Sequence, residues 1–267
     1  MNSRRILIRL IVSSLIVVAF IVTVGFASHK QAEMPCTGIY INIHDSSGIG
    51  FVEENDVRQM IQNKIGSPIG KSLSSINISL LEKIINTNPF IYDAEVFSTV
   101  DGKVNIDVKQ RIPVLRVINY NNESFYIDNH GVFMPPSDKF TARVPVASGF
   151  IFDKESEKKV RVYTEDEIKD TTLTRTKIEQ LFHIINYTNQ NSFWNAMVQQ
   201  LYVNAQGEIE MIPRIGNHTV VIGNDMFLEE KFKKLLVFYR EGLSKKGWDK
   251  YSIINLKFKD QVVCTKK

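Results

Sequence analysis

The sequence predicts an α+β fold class for this protein, with one transmembrane helix at the N-terminus. Three observations lead to this prediction. Residues 10–27 form an uncharged apolar stretch, residues 39–110 follow the order strand, helix, helix, strand, strand, and the remainder mixes short strands with amphipathic helices. Apolar residues at every second position indicate strands, and apolar residues three or four positions apart indicate helices. We therefore expect two exported α+β domains behind a membrane anchor.

The composition is that of a folded protein, because 43% of the 267 residues are hydrophobic and 23% are charged. The net charge of +4 comes mainly from Arg4, Arg5 and Arg9, which precede every acidic residue. Without them, 30 basic residues stand against 29 acidic ones. Nucleic-acid binding needs a concentrated basic surface, and no basic run follows residue 30. We therefore expect no nucleic-acid partner.

The apolar stretch at the N-terminus is long enough for one membrane crossing, because residues 10–27 would form a helix of about 27 Å. The predicted transmembrane helix covers residues 6–27, between a cytoplasmic tail at 1–5 and a linker at 28–36. The positive-inside rule places the N-terminus in the cytoplasm and the bulk of the chain outside. A cleaved signal peptide is the alternative, since Gly25-Phe26-Ala27 offers small residues. Its apolar region is usually only about 7–15 residues long, which favours the uncleaved anchor.

The first exported domain begins with a strand in which Ile39, Ile41 and Ile43 alternate with polar residues. A helix is expected over residues 53–64, with acidic residues in its first turn. A second helix is expected to open at a capping box formed by Ser79 and Glu82. Its buried stripe is expected to contain Leu80, Leu81, Ile84 and Ile85.

Two strands, at residues 91–98 and 103–110, close this domain, and Asp101-Gly102 suits the tight hairpin between them. The domain is therefore expected to be a sheet covered on one face by two helices, within residues 37–112.

The second domain, residues 113–267, reads as short strands separated by turn residues. We expect strands at residues 114–119, 124–128, 132–135, 144–148, 201–204, 208–213 and 218–222. The highly charged residues 153–172 lack an apolar period and suggest a solvated loop or a short helix. Helices are expected at 173–189 and 226–243, the second with Phe227, Phe232 and Tyr239 among its core candidates. A last strand is expected over residues 252–264, although its alternation is lost after Phe258.

No catalytic, metal or cofactor site is apparent in the sequence. The segment from Gly66 to Ser72 resembles a phosphate-binding loop, but it has three residues between its glycines where four are needed, so an inter-helix turn is favoured. The five histidines are scattered without zinc-ligand spacing. No nucleophile elbow or paired catalytic carboxylates can be recognised, so we expect a protein that is not an enzyme.

Two cysteines, Cys36 and Cys264, bracket the exported part. A disulfide between them is chemically allowed in an oxidising compartment, and two unpaired thiols are the alternative.

Short motifs carry a resemblance to a known family along almost the whole chain. They are Phe51-Val52-Glu53-Glu54, Ile76-Asn77, Leu81-Glu82, Asn88-Pro89-Phe90-Ile91, Ala94-Glu95-Val96, Val108-Lys109-Gln110-Arg111-Ile112-Pro113-Val114, Tyr126-Ile127-Asp128 with Gly131, and Pro145-Val146 with Gly149. In order and spacing these motifs resemble the FtsQ/DivIB family of bacterial cell-division proteins. The resemblance implies that the first domain is a POTRA domain and the second is the family's β domain.

The resemblance also implies a function for the chain. It implies a non-enzymatic divisome protein of the inner membrane that binds FtsB and FtsL in the periplasm. Such a protein links early and late division proteins during septum formation and helps to recruit or regulate the septal peptidoglycan synthase. The alternatives are a POTRA-type chaperone that assembles outer-membrane or secreted proteins and a membrane-tethered cell-wall hydrolase.

For the partner-binding site, the resemblance indicates the last helix and the final strand. A final strand at a sheet edge leaves unpaired backbone groups to which a partner segment can add. The expected FtsB-binding residues are Tyr251, Ser252, Ile253, Ile254, Asn255, Leu256, Lys257, Phe258 and Lys259. Leu256 and Phe258 are also candidates for ordinary core residues.

Overall fold

The computed structural model describes residues 13–22, 33–44, 48–152, 159–161, 167 and 175–267. Residues 13–22 are helical. In these ranges no helix combines the length and the apolarity that a membrane crossing requires. The expected tail at 1–5, the rest of the expected anchor, most of the linker at 28–36 and most of the charged insert at 153–172 lie outside the described residues.

The chain divides into two units between Gln110 and Arg111. The first unit contains β1 (Gly38–His44), α1 (Glu54–Ile65), a short 3-10 helix (Leu73–Ser75), α2 (Ile78–Ile85), β2 (Ile91–Ser98) and β3 (Lys103–Gln110). Its sheet has the order β1-β3-β2, with β1 parallel and β2 antiparallel to β3. The predicted strand-helix-helix-strand-strand order is therefore confirmed.

Helix α2 starts differently from the prediction. The residue that caps it is Asn77, whose side chain accepts a hydrogen bond from the Leu80 amide at 3.0 Å. The expected capping box at Ser79 and Glu82 is wrong, because the Glu82 carboxylate accepts a hydrogen bond from the Val96 amide of β2 instead. Glu82 thus satisfies a backbone donor on the edge strand of this sheet.

The core of the first unit lies between the two helices and one face of the sheet. Val57 and Ile61 of α1 and Leu81 and Ile85 of α2 are fully buried. The expected stripe of α2 is wrong at Leu80, which is 42% exposed. The helix begins at Ile78, and its buried residues are Leu81 and Ile85, which lie one turn apart, while Ile84 is half-buried.

The second unit is built on one nine-stranded sheet. It contains β4 (Pro113–Ile118), β5 (Ser124–Asp128), β6 (Phe133–Met134), β7 (Val146–Gly149), β8 (Val198–Val203), β9 (Ile209–Pro213), β10 (Thr219–Gly223), β11 (Tyr251–Asn255) and β12 (Val263–Lys266). The strand order is β12-β11-β10-β9-β8-β7-β4-β5-β6. Parallel pairs β4/β7, β7/β8 and β10/β11 occur beside antiparallel hairpins, which makes the sheet mixed. The α+β fold class is confirmed.

The helices of this unit are α3 (Lys177–Asn189), α4 (Ser192–Met197), α5 (Leu228–Val237), a π-helical turn (Phe238–Leu243) and α6 (Ser244–Lys246). Thr176 and Glu179 form a capping box at the start of α3. Helix α4 was not expected from the sequence, and Asn191 caps it by accepting hydrogen bonds from the amides of Phe193 and Trp194.

Helix α5 begins later than predicted, because Phe227 has a left-handed backbone with φ 54°. Phe227 is also 55% exposed, so its assignment to the core is wrong. Phe232 and Tyr239 are buried as expected, and Leu235 is buried as well. The expected single helix at 226–243 is therefore an α-helix that passes into a π-helical turn.

The turn between β5 and β6 is held by one buried carboxylate. Asp128 is fully buried, and its Oδ2 accepts a hydrogen bond from Arg111 Nη1 at 2.8 Å. Its Oδ1 accepts from the amides of His130 and Val132. Gly131 has φ 77°, and a Cβ there would lie 3.2 Å from the Val160 carbonyl. A left-handed glycine is therefore required at this turn.

The expected last strand over residues 252–264 is wrong, because the structure has two antiparallel strands in this region. β11 pairs with β10 on one side and with β12 on the other. The chain reverses after Leu256, and Asp260 in the connection has φ 58°. A left-handed residue of this kind bends the chain sharply, so the segment cannot continue as one strand.

Candidate functional site

In the nine-stranded sheet, the outer edge of β12 has no paired strand among the residues that the structure describes. At the opposite edge, β6 has two residues, and the preceding Val132 forms a bridge with Lys159. In the sheet of the first unit, the edge strand β2 is partly covered, because the Val96 amide donates a hydrogen bond to the Glu82 carboxylate. In the part of the chain that the structure describes, β12 pairs with β11 alone. Its second side is therefore available for another strand.

The strand register shows which backbone groups face outward. Leu256 donates its amide to the Val221 carbonyl at 2.9 Å, so Leu256 and Ile254 direct their backbone groups toward β10. Ile253 and Asn255 therefore direct theirs toward β12. The partners of these two residues, Thr265 and Val263, bond inward to β11.

Because backbone direction alternates along a strand, Cys264 presents its N–H and C=O groups at the outer edge, and Lys266 presents its N–H there. The Lys266 carbonyl lies 3.5 Å from the Ser252 hydroxyl of β11, beside a shift in the β11/β12 register. The inward amide of Lys267, which donates to the Lys250 carbonyl at 3.3 Å, fits this alternation.

The two faces of β12 differ in character. Cys264 lies opposite the fully buried Ile254 and packs against the core of the unit. Val263 and Thr265 point to the other face, next to Ile253. Ile253 is 39% exposed and Val263 is 43% exposed, so two apolar side chains border the open edge. A partner strand could bury them with its own alternate side chains.

The connection between β11 and β12 is tied to the rest of the unit. The Nζ of Lys234 on α5 donates hydrogen bonds to the carbonyls of Phe258 at 2.6 Å and Leu256 at 3.4 Å. Lys257 donates from its backbone to Asn255 Oδ1 at 3.0 Å and forms an ion pair with Glu208. These contacts fix where β12 begins.

His218, Tyr239 and Trp248 form a cluster of packed rings. His218 directly precedes β10, Trp248 precedes β11, and Tyr239 lies in the π-helical turn. His218 Nε2 lies 2.9 Å from the Tyr239 hydroxyl, and both side chains are buried. Trp248 packs on them, with ring centroids 6.3 Å from His218 and 5.1 Å from Tyr239. Burial lowers the pKa of His218, and nearby Lys267 lowers it further. Burial raises the pKa of Tyr239. The cluster is therefore neutral at pH 7.

The structure places the sequence-predicted binding residues differently from the expectation. Residues Tyr251–Asn255 form β11, an interior strand whose two sides are already paired. Leu256 is buried as a core residue. Phe258 is 44% exposed, so its assignment to the core is wrong. Lys257 and Lys259 are exposed in the connection and do not lie on an edge strand.

Sequence reasoning missed β12 as a separate strand. The loss of alternation after Phe258, followed by the polar residues Lys259, Asp260 and Gln261, was the available signal for the turn.

Both cysteines are free thiols in the structure. Cys36 belongs to the first unit and is 1% exposed, and Cys264 belongs to the second and is partly exposed. The disulfide between them stays a prediction.

The structure also shows what the segment that resembles a phosphate-binding loop forms and whether side chains of metal-binding types are grouped. The segment from Gly66 to Ser72 forms the turn after α1, where Gly66 is the C-cap with φ 73°. Within the described ranges, no group of three or more His, Cys, Asp or Glu side chains is arranged to hold a metal ion.

Comparison with known families gives two matches. The model described as "FtsQ/DivIB, C-terminal related" matches residues 112–265, which is more than half of the chain. The model described as "POTRA-like domain" matches residues 34–109. A comparison with curated proteins gives no match. Both matched domain types are non-enzymatic scaffolds. The chain therefore belongs to the FtsQ/DivIB family of bacterial cell-division proteins.

Proposed function

We propose that this chain is a membrane-anchored divisome protein that binds an FtsB-like partner, and through it FtsL, by adding a strand of the partner to β12. The observation that carries the proposal is the open outer edge of β12, where the register directs the amides of Cys264 and Lys266 away from β11. Hydrogen bonds between backbones supply affinity in such a complex, and pockets for alternate side chains supply specificity.

The edge is suited to strand addition because it is fixed before the partner arrives. Lys234 holds the connection before β12, and Ile254 and Cys264 pack into the core on one face. A pre-ordered strand loses less conformational entropy on binding than a mobile one. The exposed Ile253 and Val263 add apolar surface beside the new strand. The proposed site is thus β12, whereas the residues expected from the sequence lie in β11 and in the connection that follows it.

The proposal also includes a location. Residues 6–27 anchor the chain in the inner membrane with the N-terminus in the cytoplasm, so that both units act in the periplasm. FtsB and FtsL would meet the second unit there, and the complex would connect to the septal peptidoglycan synthase. A fluorescent fusion is expected to concentrate at mid-cell in dividing cells, and uniform membrane fluorescence would contradict this role.

Proline substitution tests the strand addition directly. Lys266→Pro removes an outward amide and places a ring on the edge, while no bond to β11 is lost. We expect the full-length variant to lose co-purification with the FtsB-like protein of the same organism. Lys266→Ala keeps the backbone donor and should bind normally. Lys259→Pro, in the connection, should also bind.

Normal binding by Lys266→Pro would refute the proposed edge. Loss of binding by Lys259→Pro together with normal binding by Lys266→Pro would instead place the partner-binding site in the connection between β11 and β12. Thermal unfolding of each variant controls for misfolding.

A further inference from the structure

A cleft of about 420 Å³ lies in the second unit, away from β12. It is bordered by the segment before β7, by α4, by the start of β8 and by the segment after β9. The polar side chains on its wall are Arg143, Ser192, Asn195, Gln199 and Arg214. Because β8 stands four places from β12 in the sheet, these two strands are about 19 Å apart, at roughly 4.8 Å per strand.

These five polar side chains line the same cleft, and in its described ranges the structure shows no hydrogen bond or ion pair between them. Within the described residues, none of the five forms a side-chain hydrogen bond or an ion pair. Two buried or half-buried arginines of the same unit are paired instead, since Arg111 pairs with Asp128 and Arg175 pairs with Asp225. The two guanidinium groups at the cleft are therefore exposed positive charges with their donors available to a ligand.

The backbone around the cleft is well fixed. Trp194 and Met197 anchor α4 in the core, and the Arg214 amide donates to the Met197 carbonyl at 2.8 Å. The register of β8 against β9 shifts between Val198 and Gln200, which leaves Gln199 as the extra residue of a β-bulge. A bulge redirects the side chain of its extra residue and is frequent beside functional sites.

The chemistry of the wall favours a peptide over a simple anion. Guanidinium groups bind carboxylates through paired, charge-assisted hydrogen bonds. The side-chain amides of Asn195 and Gln199 each offer a donor and an acceptor, which match the N–H and C=O of a peptide backbone. A phosphate ion accepts hydrogen bonds and would leave the amide oxygens unused. We propose that this cleft binds an extended acidic peptide segment of a partner protein, as a second docking site independent of β12.

Binding of a labelled peptide tests the proposal. Fluorescein-labelled hexaglutamate is titrated with the full-length chain in detergent at low salt and followed by fluorescence anisotropy, with labelled hexaglutamine as the neutral comparison. Arg143→Gln and Arg214→Gln should each weaken hexaglutamate binding about tenfold. Arg240→Gln is the matched control, because Arg240 is also exposed but lies outside the cleft. The affinity of this variant for hexaglutamate should stay within about twofold of the parent.

Two further arms separate the alternatives. Gln199→Leu should also weaken hexaglutamate binding, whereas inorganic tripolyphosphate should compete poorly. Lys266→Pro should leave this binding unchanged, so the cleft and the β12 edge are tested separately. Equal effects of Arg143→Gln and Arg240→Gln would overturn the proposal, as would tripolyphosphate that displaces the peptide at equal concentration or a Gln199→Leu variant that binds like the parent. Circular dichroism of each variant confirms folding.

Discussion

Lys234 on α5 donates a hydrogen bond from its Nζ to the carbonyl oxygen of Phe258, 2.6 Å away. The same ammonium group lies 3.4 Å from the Leu256 carbonyl. One charged side chain therefore joins the last long helix to the reversal between β11 and β12. Since β12 carries the proposed binding edge, this contact connects helix packing to function.

We predict that Lys234→Met lowers the free energy of unfolding by about 1 kcal/mol, because two charge-assisted hydrogen bonds are lost from a partly buried site. Affinity for the FtsB-like partner should fall as well, since β12 is less firmly placed. Urea denaturation and the partner Kd measure these effects. Lys233→Met, exposed on the same helix, is the control. Equal behaviour of the two variants would show that the contact has no role.

Glu82→Ala should destabilise the first unit by about 1–2 kcal/mol, because the partly buried Val96 amide loses its acceptor. The variant should also self-associate at high concentration, since an open β2 edge can pair with another chain. Glu82→Gln keeps an acceptor oxygen and should show a smaller loss. Urea denaturation and light scattering distinguish them. A Glu82→Ala chain that is as stable and monomeric as Glu82→Gln would contradict this role.

Much of the first unit could be predicted because its signals are local. β2 and β3 begin and end at the predicted residues, since their alternation is regular and a glycine turn separates them. The start of α2 could not be chosen in the same way. Asn77 and Ser79 are both good caps, and Glu82 is engaged by a strand fourteen residues further along.

The proposed edge could not be predicted because sheet order is not a local property. Apolar residues continue at every second position from Ile254 to Phe258, so the sequence reads as one strand. The reversal depends on contacts from elsewhere, including Lys234 on α5 and Glu208 beside Lys257. The cleft could not be predicted from the sequence either, because its two arginines, Arg143 and Arg214, are 71 positions apart.

The stability of the second unit should depend on pH through His218. Burial and Lys267 hold its folded pKa below 6.5, Asp249 opposes them, and the neighbouring Tyr239 is neutral. The unfolded chain therefore binds the proton more readily, and stability is lost as the pH falls below about 6.5. His218→Phe should reduce the change in melting temperature between about pH 7.5 and pH 5.5. The exposed His130→Phe should retain it, and an unchanged pH profile in His218→Phe would contradict the assignment.

Thiol titration should distinguish the two cysteines. Cys36 is 1% exposed and should not react with a thiol reagent in the folded chain. Cys264 is partly exposed, but burial raises its pKa, so it should react slowly. In denaturant without reductant, both thiols should react if they are free. Two unreactive cysteines under those conditions would instead establish the disulfide that the sequence allows.

Amide hydrogen exchange at single-residue resolution tests the central claim most directly. The full-length chain is measured by mass spectrometry with and without the FtsB-like protein. Strand addition to β12 predicts new protection of the Cys264 and Lys266 amides, which face outward. The Val263 and Thr265 amides, already bonded to β11, should change little. Unchanged exchange at Cys264 and Lys266 in the saturated complex would contradict the account.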